Sequence, residues 1–329
     1  MEKYILDALD KKILYFLALN SRTKISKIAK KTHCSVAKVS YRINNLIKNK
    51  VIVFFPTLIN YRALGFNAIS IDYRLKDLDQ KTLDNLIEQI SKIKNVADII
   101  QVNGIYNLHV VLLEKNLSAA SVSIWELRQL LSQHIISESI SFYLSSIFFE
   151  RKVFYNDIKL HSHPGLVAVE EPKKIFDLTK EQRSVLSILA NNSTISTFEL
   201  AKRLGCSAQK VFNIIKTLEE NKIIRGYTIK INPALENYLY FRVLLKLKNI
   251  THDKRHTILN FLNEHPRVYR SIVMLGDYDL CYDVRCADLE QLSLILQDVY
   301  SNFPDEIIKQ DWIQIYKIFK YTFYIDEET

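Results

Sequence analysis

The sequence repeats itself at one fixed offset of 172 positions, and this duplication limits the fold more than any other feature. The match runs from Leu14 to Leu108 in the first copy. Because a single offset holds over that distance, the chain is a tandem duplication, and both halves should adopt the same architecture. The matched pairs include Leu14/Leu186, Leu17/Leu189, Ser21/Ser193, Ala29/Ala201, Cys34/Cys206, Ser35/Ser207, Val39/Val211, Ile43/Ile215, Leu46/Leu218, Gly104/Gly276, Tyr106/Tyr278 and Leu108/Leu280.

The first part of each copy is helical. Apolar residues recur at every third or fourth position, which predicts helices over 11–19, 25–32 and 35–48 in the first copy. Ser35 and Ser207 stand where the third helix of each copy would begin, and a serine oxygen there accepts a hydrogen bond from a free backbone N–H. Two helices, a short turn and a capped third helix indicate a helix-turn-helix.

The second part of each copy has the alternating pattern of half-buried strands. The β-branched runs 51–59 and 223–231 precede it and suit wing strands. In the first copy, the pattern predicts strands at 68–75, 96–102, 106–113 and 139–149 and helices at 81–93 and 118–132. The order β-α-β-β-α-β indicates a ferredoxin-like sheet with helices on one face. The predicted fold class is therefore α+β, with two winged helix-turn-helix units that are each followed by a ferredoxin-like domain.

The predicted domain boundaries follow this order. They are a winged helix-turn-helix at 1–62, a ferredoxin-like domain at 63–155, a linker at 156–176, a second winged helix-turn-helix at 177–234 and a second ferredoxin-like domain at 235–329. Pro164, Gly165 and Pro172 are typical of a linker. His161 and His163 lie two positions apart there, but no further ligand stands nearby, so we predict no metal site and no cofactor.

The net charge of +9 suits a polyanionic partner, and its distribution is more informative than its size. Residues 11–71 contain twelve Lys and Arg but no Asp or Glu. A charge run is usually a solvated face, but these cations are interspersed in a regular apolar pattern, so the segment should fold and hold its charge on a surface. Such a surface neutralises phosphates, and we predict double-stranded DNA as the partner. Residues 179–226 are less strongly basic, with eight Lys and Arg against four Glu.

Residues outside the apolar stripe of the third helix should face the major groove of DNA. Arg42 and Asn45 are the candidates for reading base edges, because arginine suits guanine and asparagine suits adenine. We expect Arg42→Ala to weaken DNA binding more than Lys216→Ala. The predicted DNA-contacting residues are Ser35, Ala37, Lys38, Ser40, Tyr41, Arg42 and Asn45 in the first copy and Ser207, Gln209, Lys210, Asn213 and Lys216 in the second.

Several segments resemble the leucine-responsive regulator (Lrp/AsnC) family. They are LDALDKKIL and CSVAKVSYRINNL in the first copy, and in the second copy LTKEQRSVLSILANN and IIRGYTIKINP, which spans Ile223 to Pro233. The tandem form is similar to two-copy archaeal regulators. The resemblance implies a transcriptional regulator whose ferredoxin-like domains sense ligands and dimerise. One chain with two copies is therefore expected to close that interface within itself as a pseudo-dimer, with further self-association left open.

The resemblance also implies a small effector, often an amino acid, near a Gly-x-x-Asp turn between the second and third strands of the sheet. The second copy keeps this turn as Gly276, Asp277 and Asp279, whereas the first has Gly104 followed by Asn107. Effector binding is therefore predicted at Gly104, Gly276, Asp277 and Asp279, with the first copy the weaker site. The alternative interpretation of Gly276 is a tight hairpin that needs positive φ.

A second departure from the family pattern lies on the third helix. Ile214 stands where the first copy has Arg42, which is expected to weaken DNA contact by the second copy. An enzymatic alternative is a sirohaem decarboxylase, which has a similar architecture and would need histidine and arginine converging on haem carboxylates. His109, His134 and His265 show no catalytic spacing, so we predict no enzymatic activity. A protein that only binds other proteins is a third alternative, which the acid-free basic segment disfavours.

The expected location is the cytoplasm. No apolar run approaches the roughly 18 residues of a membrane span, and the N-terminal segment carries charge throughout. Four cysteines without a CxxC pair indicate reduced thiols rather than a disulfide framework.

Overall fold

The chain is described by a computed structural model over residues 4–149, 166–233 and 238–326. These residues form two compact units. The helix-turn-helix unit comprises the described residues of Met1–Gly65, Glu150–Glu236 and Thr322–Thr329, and the sheet unit those of Phe66–Phe149 and Asn237–Tyr321. Each unit therefore combines the equivalent parts of both copies.

The predicted linker at 156–176 is only partly described. Residues 156–165, including His161 and His163, lie outside the described residues. The remaining part contains a short strand, β7 (Leu166–Val169), where the sequence suggested only a connection. The predicted domain boundaries themselves stay predictions.

The described part of the helix-turn-helix unit holds three helices and two wing strands from each copy. The predicted caps are confirmed, because Ser35 accepts a hydrogen bond from the backbone N–H of Lys38 and Ser207 from that of Lys210. The first-copy elements are α1 (Ala8–Leu19), α2 (Ile25–Thr32), α3 (Val36–Lys48), β1 (Ile52–Phe54) and β2 (Thr57–Ile59). The second-copy elements are α6 (Lys180–Asn191), α7 (Thr197–Leu204), α8 (Ala208–Glu220), β8 (Ile224–Tyr227) and β9 (Lys230–Ile231).

The wing strands pair between the copies. Strand β1 pairs antiparallel with β9, and β2 pairs antiparallel with β8. Equivalent backbone groups make equivalent bonds, since Asn60 N donates to Ile223 O and Asn232 N donates to Val51 O, both at 2.9 Å. Neither copy therefore completes its winged helix-turn-helix without strands from the other.

A second contact joins equivalent positions of the two copies. The hydroxyl oxygens of Ser21 and Ser193, which occupy the same position in the repeat, lie 2.6 Å apart and are buried. Ile229 and Ile231 of the second copy pack in the same buried cluster as Leu14 of the first. The hydrophobic core around α1 to α3 is thus built from both copies.

The sheet unit confirms the predicted β-α-β-β-α-β order in each copy. The first-copy elements are β3 (Asn67–Leu75), α4 (Gln80–Lys92), β4 (Val96–Gly104), β5 (Leu108–Glu114), α5 (Leu117–Leu131) and β6 (Ile135–Phe148). The second-copy elements are β10 (Leu239–Leu247), α9 (His252–Glu264), β11 (Val268–Gly276), β12 (Leu280–Cys286), α10 (Leu289–Asn302) and β13 (Ile307–Tyr321). Within each copy the strand order is that of a ferredoxin-like sheet, β4-β5-β3-β6 and β11-β12-β10-β13.

The two sheets join at both edges. Strand β4 pairs antiparallel with β13, and β6 pairs antiparallel with β11. The strands of this unit therefore form a closed ring, which we call the strand ring, in which every strand has a neighbour on each side. Unpaired strand edges are sites of aggregation, and closure removes them. Helices α4 and α5 cover the first copy's sheet, and α9 and α10 cover the second through separate buried clusters.

The glycines that end β4 and β11 lie where the strand ring closes. A Cβ on Gly276 would be 2.4 Å from the carbonyl oxygen of Ile140 in β6, and a Cβ on Gly104 would be 2.8 Å from that of Trp312 in β13. Their φ angles are +150° and +131°. Each glycine is thus required both by its backbone conformation and by the close approach of a strand from the other copy.

Replacement of Gly276 by alanine should open this junction. The positive φ and the backbone clash together are expected to lower the free energy of unfolding by about 3 kcal/mol. The smaller clash at Gly104 should cost less. Gly205→Ala is the control, because Gly205 also has positive φ but nothing lies within 4 Å of its Cβ position, so it should cost about 1 kcal/mol. Urea unfolding followed by circular dichroism measures the three values, and equal losses would contradict the closure argument.

Candidate nucleic-acid interface

The third helix of each copy presents the predicted DNA contacts on its outer side, because its inner side belongs to the core. Val39 and Leu46 of α3 are fully buried, as are Val211 and Leu218 of α8. Nine of the twelve predicted residues are exposed: Ser35, Ala37, Lys38, Tyr41, Ser207, Gln209, Lys210, Asn213 and Lys216. The remaining three, Ser40, Arg42 and Asn45, are half-buried.

Arg42 is engaged inside the first copy. Its NH1 group lies 2.8 Å from a carboxylate oxygen of Asp7 and 3.4 Å from one of Asp10. The same two acids form the capping box that starts α1, where Asp7 accepts from the backbone N–H of Asp10. The Asp10 carboxylate, followed by Asp7, raises the pKa of Arg42. Arg42 therefore ties α3 to the beginning of α1 in the structure, and its contact with a base stays a prediction.

In the second copy, the residues equivalent to Asp7, Asp10 and Arg42 are all uncharged. Thr179 and Gln182 form the capping box of α6 at the positions of Asp7 and Asp10, and Ile214 replaces Arg42. All three residues change together from charged to neutral. The departure at Ile214 thus accompanies the loss of the two acids, and the expectation that it weakens DNA contact by the second copy stays a prediction.

Six lysines of the first helix-turn-helix are exposed and have no carboxylate partner among the described residues. They are Lys24, Lys27, Lys30, Lys38, Lys48 and Lys50. The acid-free stretch predicted from the sequence thus becomes an exposed cationic surface on α2, α3 and the turn after α3. We call this surface the lysine face.

The second helix-turn-helix neutralises much of its own charge. Its ion pairs join Lys210 to Glu181 at 3.3 Å, Arg203 to Glu199 at 3.2 Å and Lys216 to Glu220 at 3.7 Å. The first copy has no acid at the three equivalent positions, which are occupied by Leu9, Lys27 and Lys48. The charge asymmetry between the copies is therefore larger on the surface than the residue counts suggest.

The predicted effector residues have structural partners. Asp279 accepts from the backbone N–H of Leu247 at 2.8 Å and pairs with Lys246 at 3.3 Å. At the equivalent position, Asn107 accepts from the backbone N–H of Leu75 and donates to its carbonyl oxygen, both at 2.8 Å. An amide and a carboxylate thus hold the end of the first strand in the two copies, so the change from Asp to Asn preserves the turn.

The turn of the first copy borders an open hollow of about 410 Å³. Its polar lining includes Arg74, Lys76, Asp77, Gln101 and Asn103. In the second copy, Gly276 and Asp277 are exposed. Gly104, one of the predicted effector residues, also lines this hollow. Both glycines have a structural role in ring closure, and effector binding stays a prediction.

A buried charged network, which was not predicted from the sequence, joins the copies within the sheet unit. His109 Nδ1 lies 2.7 Å from Asp72 Oδ1, and His109 Nε2 lies 3.2 Å from NH1 of Arg242. Arg242 also donates to both oxygens of Asp283, at 2.7 and 3.0 Å, and to the Tyr143 hydroxyl at 3.2 Å. Burial acts to lower the pKa of Arg242, but the Asp283 carboxylate together with Tyr143 and Cys281 outweighs burial and raises the pKa well above its usual value. The network satisfies charges that would otherwise be costly to bury.

Two further findings concern the described residues only. No helix among them is long and apolar enough to cross a membrane. No group of three or more His, Cys, Asp or Glu side chains in that part of the chain is arranged to hold a metal ion.

Comparison with known proteins finds helix-turn-helix domains in both copies. Residues 6–47 match the AsnC-type helix-turn-helix domain, and residues 179–225 match a winged helix-turn-helix DNA-binding domain. The chain is 36% identical over 107 residues to an uncharacterised HTH-type transcriptional regulator of Pyrococcus horikoshii, a match that covers 32% of this chain and 70% of that protein. It is 30% identical over 125 residues to the transcriptional regulator LrpA of the same organism, covering 38% of this chain and 84% of LrpA.

A solved structure matches almost the full length of the chain. The siroheme decarboxylase NirDL matches over 97% of this chain and 94% of its own, with a TM-score of 0.60 and 14% sequence identity. At that identity the likeness shows the fold alone. The tandem α+β architecture predicted from the sequence is confirmed.

The ion pairs of Arg42 with Asp7 and Asp10 can be tested by mutation. Arg42→Ala leaves the buried Asp10 carboxylate without its cation and should lower the free energy of unfolding by about 2 kcal/mol. The triple variant Asp7→Thr/Asp10→Gln/Arg42→Ile installs the second copy's residues and should recover most of this loss. Circular dichroism during urea unfolding measures stability, and the triple variant should bind DNA like the unmodified chain. A loss of tenfold or more in its DNA affinity would restore Arg42 as a base contact.

Proposed function

Because this chain belongs to the Lrp/AsnC family of helix-turn-helix transcriptional regulators, we propose that it binds double-stranded DNA mainly through the lysine face of its first copy. The observation that carries this proposal is the charge state of that face. Its exposed lysines lack carboxylate partners among the described residues, whereas three cations of the second copy are paired. Unpaired lysines release counterions when they neutralise phosphates, which makes binding strong and sensitive to salt.

The residues that read bases are proposed from exposure on α3. Tyr41 is exposed on the first turns of the helix, where recognition helices contact base edges, and the exposed Lys38 beside it is proposed to contact phosphates. Ser40 and Asn45 flank them and are half-buried. Arg42 acts in this account as a positioning residue, because its pairing with the capping box of α1 fixes the orientation of α3.

The paired copies act as an intramolecular pseudo-dimer in this proposal. Asp72, His109 and Tyr143 of the buried network come from the first copy, and Arg242 and Asp283 come from the second. The positions related to these five by the repeat are Leu244, Cys281, Ile315, Ser70 and Val111. Two identical copies facing each other would keep the pairs Asp72–His109 and Arg242–Asp283, because each pair lies within one copy, but they would lose the contacts of Arg242 with His109 and Tyr143. Pairing of the first copy with the second supplies both of these contacts.

A small-molecule effector belongs to the proposal as well. The hollow beside the first copy's turn supports it, because Arg74 and Lys76 offer charge to a carboxylate and Gln101 and Asn103 offer hydrogen bonds. Asp279, by contrast, is engaged with Leu247 and Lys246. The first copy is therefore the better candidate for an effector that carries a carboxylate, such as an amino acid. We also place the protein in the cytoplasm.

The enzymatic alternative has no support beyond the shared fold. The histidine and arginine that it requires do converge, as His109 and Arg242. Both are buried, however, and both are bound to carboxylates of the protein, Asp72 and Asp283. The same carboxylates would repel those of a haem. The relatives are named as regulators, which agrees with the prediction that the chain is not an enzyme.

DNA binding is tested by selection of genomic fragments with the full chain, followed by a salt titration on the fragments retained. We expect a recurrent sequence motif and a logarithmic affinity that falls steeply with logarithmic salt concentration, by about 0.9 per phosphate contact. Absence of DNA retention at low salt would overturn the proposal. Retention without a motif would show a DNA binder that does not read sequence.

The contribution of the two copies is separated by a matched pair of variants. Lys38→Gln should reduce affinity and lower the salt slope by about 1, because Lys38 is unpaired and faces the phosphates. Lys210→Gln, at the equivalent position, should have a smaller effect because Lys210 is already paired with Glu181. Lys81→Gln in the sheet unit serves as a control for total charge. Equal effects of Lys38→Gln and Lys210→Gln would contradict the assignment of the main contact to the first copy.

A further inference from the structure

The outer side of α8 carries a stripe of residues that the charge argument leaves without a role. Gln209, Phe212, Asn213 and Lys216 are spaced three and four positions apart, so they share one face of the helix, and all four are exposed. Phe212 is 54% exposed. An aromatic side chain exposed to that degree on the outer side of a recognition helix needs an explanation.

The two amides of this stripe are already organised. Gln209 Nε2 donates to Asn213 Oδ1 at 3.0 Å. This bond leaves the Nδ2 donors of Asn213 and the Oε1 acceptor of Gln209 free toward solvent. A donor beside an acceptor is the pattern that matches the N7 acceptor and N6 amino donor of adenine in the major groove.

The apolar member of the stripe complements the amides. Phenylalanine contacts the C5 methyl group of thymine, which is the apolar feature of an A·T pair in the major groove. The first copy has Ala37, Ser40 and Tyr41 in place of Gln209, Phe212 and Asn213. The two recognition helices thus differ in chemistry at every one of these positions.

The reduced positive charge of the second copy also favours base contacts over phosphate contacts for α8. Lys210 and Lys216 are paired with Glu181 and Glu220, so α8 offers less to phosphates than α3 does. A helix that gains little from phosphates contributes through base edges if it enters the groove.

We propose that α8 reads A·T base pairs, with Gln209 and Asn213 contacting adenine and Phe212 contacting the methyl group of thymine. The chain then recognises an asymmetric two-part site, with one half-site held mainly by phosphate contacts of the first copy and an A·T half-site read by the second. This inference rests on the proposed DNA-binding function.

The first experiment selects random-sequence duplexes with the full chain and with the variants Phe212→Ser and Gln209→Ala, which introduce the first copy's residues. The unmodified chain should select two unequal half-sites, one of them rich in A·T. Each variant should lose preference in that half-site only. Tyr41→Ala is the matched control and should affect the other half-site.

Base analogues in the selected site then test individual contacts. Uracil in place of the contacted thymine removes the methyl group, and 7-deazaadenine removes N7. Each replacement should weaken binding of the unmodified chain by about five- to tenfold. Phe212→Ser should be insensitive to uracil, and Asn213→Ala should be insensitive to 7-deazaadenine, because the Nδ2 donor of Asn213 is the group that would bond to N7.

The outcomes separate this inference from the proposed function. If the full chain retains no DNA, the proposed function fails. If it selects a motif that Phe212→Ser and Gln209→Ala leave unchanged, DNA binding stands and the assignment of α8 is overturned. In that case the exposed Phe212 becomes a candidate contact for another protein. A midpoint of thermal unfolding equal to that of the unmodified chain shows that the surface variants are folded.

Discussion

Antiparallel pairing between the two copies is the interaction on which the rest of the structure depends. In the sheet unit, β4 pairs with β13 and β6 with β11. In the helix-turn-helix unit, the wing strands of one copy pair with those of the other. A ferredoxin-like sheet alone has two open edges, and a wing strand alone has no partner. Because the two copies are parts of one chain, each copy always has the other available as the partner for its strands. The same duplication places two recognition helices in one molecule.

Local structure was predictable because it depends on local chemistry. Three- and four-residue spacing predicted α1 to α3, alternation predicted β3 to β6, and Ser35 formed the cap expected of it. The pairing between copies was not visible in any window of sequence, since hydrogen-bonded partners lie far apart in the chain. For the same reason, Gly276 suggested a ligand turn, whereas its neighbour is the backbone of Ile140 in another strand.

In the candidate site, too, features set by local sequence were predictable and contacts between distant residues were not. The acid-free segment predicted the lysine face, because charge that has no nearby acid in the chain tends to remain unpaired. The ion pairs of Arg42 with Asp7 and Asp10 were not predicted, since these partners lie about thirty residues away, just before the acid-free segment begins. The buried network was missed altogether. Its signal was the loss of repeat symmetry at charged strand positions, such as Arg242 opposite Ser70 in the alignment of the copies.

The central claim is that the first copy pairs with the second within one chain, and the hydroxyls of Ser21 and Ser193 permit a direct test because they lie 2.6 Å apart. Ser21→Cys/Ser193→Cys, in a background with Cys34 and Cys206 replaced by serine, is oxidised and run on a denaturing gel without reductant. The account predicts a disulfide within single chains, and no cross-link for Ser21→Cys alone. A cross-linked species of two chains, from the double variant or from Ser21→Cys alone, would contradict it.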